Sequence, residues 1–300
     1  MPFVKVESLH NEEVKLYYED LGKGQPAIFI HGWPLSGDMW EYQVTELVKL
    51  GIRCITYDRR GFGKSSRPLH GYDYDTLAAD LNAVINELQL SDVVLIGFSM
   101  GGGEVVRYLS KYGSGKVSKA VLISAVTPYM LKTDDNPEGI DEEIFAEMIE
   151  NMQNDRIAFL DDFGKQFFSV SLLNHPVSTA LLEYYRTLAA FASPIATQEC
   201  AKAFAQTDFR DDISAVNVPL LIIHGDSDKT VPIEASGNRT AAAVPGATYL
   251  VYEGAPHGLF YTHRKQLNAN LAEFINGAGV TVQPTDEEMD VLPSNSPLAV

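Results

Sequence analysis

The sequence predicts an α/β fold: a mostly parallel, doubly wound sheet of about eight strands carrying an inserted helical cap. Three observations lead there. Short apolar or β-branched runs recur along the 300 residues, as strands buried on both faces do. Most gaps between them read as single helices, which implies right-handed crossovers and a parallel sheet covered on both sides. One gap is far too long for a single crossover.

In chain order, "FVKVES" and "VKLYYED" alternate in polarity, as a half-buried hairpin at a sheet edge does. "PAIFIHG", "RCITYD", "DVVLIGFS", "KAVLISA", "PLLIIHGD" and "TYLVYEG" are the buried runs. Helices are expected over residues 39–50, 76–90, 101–112 and 262–276. The long gap between "LISAVTPYM" and "VNVPLLIIHGD" holds roughly eighty residues, well beyond an ordinary loop. Its helical stretches "DEEIFAEMIENMQ" and "HPVSTALLEYYRTLAAFA", with the aromatic-rich "FLDDFGKQFF", are expected to cap the C-terminal edge of the sheet. The domain reading is therefore a core of residues 1–128 and 216–277 and a cap of residues 129–215. An extended or disordered acidic tail of residues 278–300 follows; it has no Lys or Arg and contains three prolines.

Composition narrows the function classes. The chain has 23 Lys and Arg against 40 Asp and Glu, a formal net charge of −17. No basic excess is available to neutralise phosphates, which argues against a nucleic-acid partner. The start, "MPFVKVESLH", lacks the apolar stretch of a signal peptide, and no segment is long enough to span a bilayer, so no membrane partner is expected and the location is read as cytoplasmic. Cys54 and Cys200 show no metal or redox spacing, and Cys54 reads as a small buried hydrophobe.

Ligands of open parallel sheets bind beyond the carboxyl ends of the strands, so the residues closing each run are the ones to inspect. Gly97-Phe98-Ser99-Met100-Gly101 fits G-x-S-x-G between a strand and a helix. The turn is so sharp that the serine must take a strained backbone, and the residues two positions away must be small. That geometry pushes the Ser99 hydroxyl into a cavity and aims the Met100 amide, at the positive end of a helix, at whatever the hydroxyl attacks. A serine alone is a poor nucleophile and needs a base with a group to orient it. The seventh run ends with two acids, Asp226 and Asp228; Asp228 lies deeper in the loop, while Asp226 suits a local turn cap. The eighth ends with His257 in "EGAPHG", free to turn towards Ser99. The order Ser, Asp, His is that of the α/β-hydrolases.

Other striking residues receive plainer readings. Trp33, after His31-Gly32, stands where a second amide donor is expected. His31 reads as a structural histidine bracing that loop, since His257 already fits the base. Pro34 can follow either a cis or a trans bond. Residues 58–66, "DRRGFGKSS", lack phosphate-loop spacing and read as a structural turn; "DDNPEGIDEE" reads as solvated cap surface. No histidine pair has metal spacing and no nucleotide-binding glycine motif occurs, so neither metal nor cofactor is expected.

Over about residues 1–277 the chain resembles the α/β-hydrolase superfamily, and within it the cofactor-free bacterial haloperoxidases, also called perhydrolases, and the related aryl esterases. The likeness rests on "HGWPLSGDMWEYQ", "YDRRGFGKSS", "GFSMGGGEVVRY", "SAVTPYM", "GDSDKTVP" and "GAPHG". It implies a triad of Ser99, Asp228 and His257, and an oxyanion hole from the Trp33 and Met100 amides. It also implies an acyl pocket near Trp33, Phe98, Val126, Val231 and Ile233, roofed by Phe159 and Phe163. The implied substrates are small or aryl esters, or carboxylic acids, with hydrogen peroxide as a second nucleophile; assembly into homo-oligomers is implied as well. The long acidic cap and the tail depart from the family pattern.

Three rival readings remain open on the sequence. An epoxide hydrolase or dehalogenase needs a carboxylate where Ser99 stands. A ligand sensor could keep the triad on the same scaffold. Another α/β hydrolase, such as a lactamase, would share the machinery and differ in substrate.

Overall fold

Alternating polarity makes the first two segments a hairpin with one covered face. Val14 and Leu16 are fully buried while their neighbours are partly exposed. The computed structural model describes residues 2–6, 13–277 and 280. Strand β1 (Phe3–Val6) pairs antiparallel with β2 (Val14–Leu21), and β2 pairs antiparallel with β4 (Ile52–Tyr57). From there the sheet is parallel, through β3 (Gln25–Ile30), β5 (Val93–Phe98), β6 (Val117–Ile123), β7 (Leu220–Gly225) and β8 (Thr248–Tyr252). Among the described residues the order is β1-β2-β4-β3-β5-β6-β7-β8. The expected sheet is the observed one.

The winding reverses between β3 and β5. From β3 the chain goes outward to β4, then crosses back to place β5 on the other side of β3. The loops leaving these two strands therefore part at their carboxyl ends, and a crevice opens there. Trp33 and Ser99 sit just past those ends.

Period-two alternation sends side chains to two cores. Ile28, Ile30, Leu95, Leu122 and Ile222 join one apolar cluster, while Ala27, Phe29, Ile96, Val121 and Ile223 join the other. Helices α2 (Tyr74–Glu87) and α3 (Met100–Tyr112) cover the first; α1 (Glu41–Leu47) packs on the second. The insertion between β6 and β7 carries α4 (Glu142–Phe167), α5 (Thr179–Ala190), α6 (Pro194–Gln206) and α7 (Arg210–Ser214). Helix α8 (Gly237–Ala243) links β7 to β8. After β8 come α9 (Leu259–Thr262) and α10 (Arg264–Asn276), and α10 also lies on the second core. The expected tail, residues 278–300, lies outside the described residues apart from Val280. Among the described residues no helix is long and apolar enough to cross a membrane.

Helix boundaries shift from their expected places for local reasons. The helix expected over 76–90 begins at Tyr74, because the Asp73 carboxylate accepts the Thr76 amide at 2.9 Å. The one expected over 39–50 is α1 flanked by short 3-10 turns at Gly37–Trp40 and Val48–Leu50. Helix α4 joins "DEEIFAEMIENMQ" to the aromatic-rich stretch across a break at Asp155, whose φ of −150° and ψ of 89° are non-helical. There the Asp155 carboxylate accepts the amides of Ile157 at 3.1 Å and Ala158 at 3.0 Å, so a new N-cap starts the second half. Asp155→Ala should cost about 1 kcal/mol and lower the melting temperature by about 2–4 °C, read by circular dichroism.

Candidate active site

The site is built around a turn that only small neighbours permit. Ser99 has φ 53° and ψ −119°, a left-handed conformation costing a non-glycine residue about 1–3 kcal/mol. A Cβ on Gly97 would lie 2.4 Å from the Gly101 carbonyl oxygen, and one on Gly101 would lie 2.5 Å from the Ile30 carbonyl oxygen. Both contacts are with backbone, so no side chain can yield. The Ser99 amide donates to the Ile123 carbonyl at 2.8 Å, tying the turn to β6. A Cβ on Gly32 would come within 3.2 Å of Ser99 Cβ, so the loop after β3 runs alongside the hydroxyl.

Two other strand ends converge on it. His257 Nε2 lies 3.0 Å from Ser99 Oγ, and His257 Nδ1 lies 2.6 Å from Asp228 Oδ2. All three residues are buried. Asp228 Oδ1 accepts the amides of Thr230 at 2.9 Å and Val231 at 2.8 Å. Burial opposes ionisation of Asp228, but the facing His257 and hydrogen bonds from His224 and His257 outweigh it and hold the carboxyl well below its ordinary value. With the carboxylate on Nδ1–H, Nε2 is left as the acceptor for the serine proton. Asp226 is placed differently: its Oδ1 accepts the Gly254 amide at 2.7 Å, a turn contact.

On the other side of Ser99 lies the HGWP loop. Among the described residues, no acceptor takes the N–H of Trp33 or of Met100, the first residue of α3. The Trp33–Pro34 bond is cis. The Trp33 indole is locked to the insertion: Nε1–H donates to the Thr197 carbonyl of α6 at 2.9 Å, and the ring packs edge-on against Phe163 at 5.2 Å and Phe204 at 5.6 Å. Phe159 stands 6.2 Å away. Helix α4 reaches the histidine as well. The Gly258 amide donates to the Phe167 carbonyl at 2.9 Å, and the Phe167 ring stands 4.8 Å from the His257 ring. Neither carbonyl could be singled out from sequence, since a backbone acceptor carries no residue signature.

The expected pocket residues divide between the two cores. Trp33, Val126 and Val231 share one apolar cluster with Met130 and Met152. Phe98 belongs to the other and packs 4.9 Å from the His257 ring. Ile233 is buried, at 6% exposure. A narrow apolar crevice of about 20 Å³ runs between α4 and α5, bounded by Pro34, Leu160, Phe163, Phe167 and Tyr185.

A buried polar chain braces the loops. His31 Nε2 accepts the Arg59 amide at 3.0 Å, and Nδ1 faces the Gly32 carbonyl at 2.9 Å. Burial first, then the Arg59 charge, hold the His31 imidazole well below its ordinary value, so it stays neutral. Arg59 Nη2 donates to the His31 carbonyl at 2.9 Å, and its Nε pairs with Glu104 of α3 at 2.9 Å; Tyr57 also donates to Glu104. The turn of residues 58–66 is pinned by Asp58, which accepts the amides of Gly37 at 2.8 Å and Lys64 at 2.7 Å. Among the described residues no group of three or more His, Cys, Asp or Glu could hold a metal ion.

A model of the alpha/beta hydrolase fold family matches residues 26–264. A bromoperoxidase crystal structure from Bacillus anthracis superposes with a TM-score of 0.88 at 48% identity, covering 92% of this chain and 99% of that one. A non-heme haloperoxidase from Rhodococcus erythropolis is 42% identical, over 92% of this chain and 99% of its own length. A bifunctional esterase/perhydrolase from Acinetobacter calcoaceticus is 37% identical, over 87% and 96%.

Both members of the Arg59–Glu104 pair are fully buried, so removing one strands the other's charge. Glu104→Gln and Arg59→Met should each cost about 3–5 kcal/mol in urea unfolding, and the double apolar variant Arg59→Met/Glu104→Leu should recover most of that loss.

Proposed function

The chain belongs to the alpha/beta hydrolase fold family, and on that premise we propose that Ser99, His257 and Asp228 are its nucleophile, base and orienting acid. It is an enzyme of the kind represented by the non-heme haloperoxidases and esterases it resembles, with ester hydrolysis and perhydrolase activity as its reactions. The ligand-sensor alternative is not favoured, since these relatives carry the names of enzymes. The observation that carries the assignment of roles is the single imidazole bridging Ser99 at 3.0 Å and Asp228 at 2.6 Å.

The reaction has two halves. His257 Nε2 takes the Ser99 proton as Oγ attacks the ester carbonyl carbon, and the charged imidazole is stabilised by Asp228. The Trp33 and Met100 amides are the proposed donors to the developing oxyanion, where one such donor is worth about 2.7–4 kcal/mol. His257 then returns the proton to the departing alcohol, leaving acyl-Ser99. In the second half, water gives up a proton to His257 and attacks the acyl carbon; His257 returns that proton to Ser99 Oγ as it departs, releasing the carboxylic acid and restoring the free serine. Hydrogen peroxide attacking in the same way releases a peracid, which oxidises halide to hypohalous acid and becomes the carboxylic acid. Protein side chains supply every proton transfer in both halves.

The acyl pocket is proposed along Trp33, Phe98, Val126, Val231 and Ile233, under Phe159 and Phe163. Residues 129–215 are proposed as a cap over a core of residues 1–128 and 216–277. We also propose a cytoplasmic location and, on the resemblance alone, a homo-oligomer, a point light scattering on a sizing column decides.

A short-chain ester panel run with and without hydrogen peroxide tests the reading. The wild type should yield acid without peroxide and peracid with it. Ser99→Ala should lose p-nitrophenyl acetate turnover by about 10⁶-fold, and Asp228→Asn by about 10⁴-fold with the fold retained. Undiminished hydrolysis by Ser99→Ala would defeat the assignment.

A further inference from the structure

Asp228 faces two imidazoles. The second belongs to His224, the next-to-last residue of strand β7, fully buried and not used in the proposed reaction. Its Nε2 lies 2.9 Å from the Val231 carbonyl oxygen and 3.5 Å from Asp228 Oδ2. A carbonyl can only accept, so Nε2 carries the proton and points it between the two oxygens. Nδ1 is then a bare acceptor, and it has no partner among the described residues. A Cβ on Gly237 would lie 2.8 Å from this atom, so the ring occupies space that only glycine at the start of α8 leaves open.

We propose that His224 is a positioning residue for the relay, its Nε2–H shared between the Val231 carbonyl and Asp228 Oδ2. The inference rests on the assignment of Asp228 and His257 above. Two consequences follow from where the proton points. Holding the Val231 carbonyl fixes the peptide turn of residues 228–231, whose Thr230 and Val231 amides bind Asp228 Oδ1. The carboxylate thus presents Oδ2 to His257 in one orientation. The same N–H also draws charge from Oδ2, which moderates how strongly Asp228 stabilises the His257 imidazolium.

The groups facing His224 are few. Asp228 is the titratable one, with His257 beyond it. Helix α8 and its lead-in present the Ser236 hydroxyl, 3.5 Å from Nε2, and the backbone of Gly237. Strand β8 places Val251 at the paired register position. No other charge stands between His224 and the carboxylate on these elements, so a change at His224 reaches the reaction through Asp228.

Three variants separate this role from mere packing. His224→Leu keeps apolar volume and removes the donor. His224→Gln can place an amide N–H where Nε2 stands, whereas His224→Asn reaches only as far as Nδ1. The imidazole of His257 is titrated by NMR in each protein, a readout that needs no turnover, and kcat and KM for p-nitrophenyl acetate are measured across pH. In His224→Leu, losing the donor to Oδ2 should raise the His257 titration by about half a unit to one unit and carry the acid limb of kcat/KM upward with it. Its kcat should fall about 10-fold at unchanged KM, as for a group that orients a catalytic residue. His224→Gln should return both values towards wild type and His224→Asn should not. An unmoved His257 titration in folded His224→Leu, or equal behaviour of the Gln and Asn variants, overturns the proposal. A folded wild type that turns over no ester overturns the functional reading instead.

Discussion

The site depends on how closely α3 approaches the sheet beside Ser99. Gly97 and Gly101 bring backbone against backbone at distances that leave no room for one additional carbon. The serine between them is forced into a conformation it would not choose, and its amide is held there by the Ile123 carbonyl of the neighbouring strand. The same contact puts the first amide of α3 next to the hydroxyl. One steric constraint therefore sets both the Ser99 hydroxyl and an adjacent N–H.

Around this turn two buried polar networks hold the loops. Asp228 receives two backbone amides on one oxygen and faces two imidazole nitrogens on the other. The Tyr57–Glu104–Arg59–His31 chain does for the HGWP loop what the 228–231 turn does for the acid. Such networks cost desolvation, and a fully connected one repays it in fixed geometry. The two networks sit on opposite sides of Ser99 and share no residue.

The sheet was legible because buried parallel strands are nearly continuous apolar runs, so "DVVLIGFS" or "PLLIIHGD" resembles nothing else of that length. Ser99, Asp228 and His257, which the fold brings together, could be picked out because each follows such a run. Less visible was the insertion. Helix α6 begins at Ser193-Pro194, a good capping signal, yet its alanine-rich face has too weak a periodicity to mark a helix. The break at Asp155 interrupts no apolar pattern, since the aromatic residues continue on the same side. His224 read as one more histidine at a strand end; only its distance to Asp228 distinguishes it. Backbone carbonyls such as those of Phe167 and Thr197 leave no trace in residue type at all.

Those two carbonyls have a bearing on how the enzyme would fail. One is bound by the amide beside His257, the other by the indole of Trp33, so the inserted helices grip the loops on both sides of Ser99. Warming the molecule enough to loosen α4 and α6, while the sheet and its own helices stay intact, releases both banks together. Heat inactivation would then precede global melting, and a protein that still looks folded by its strands would already have lost its chemistry.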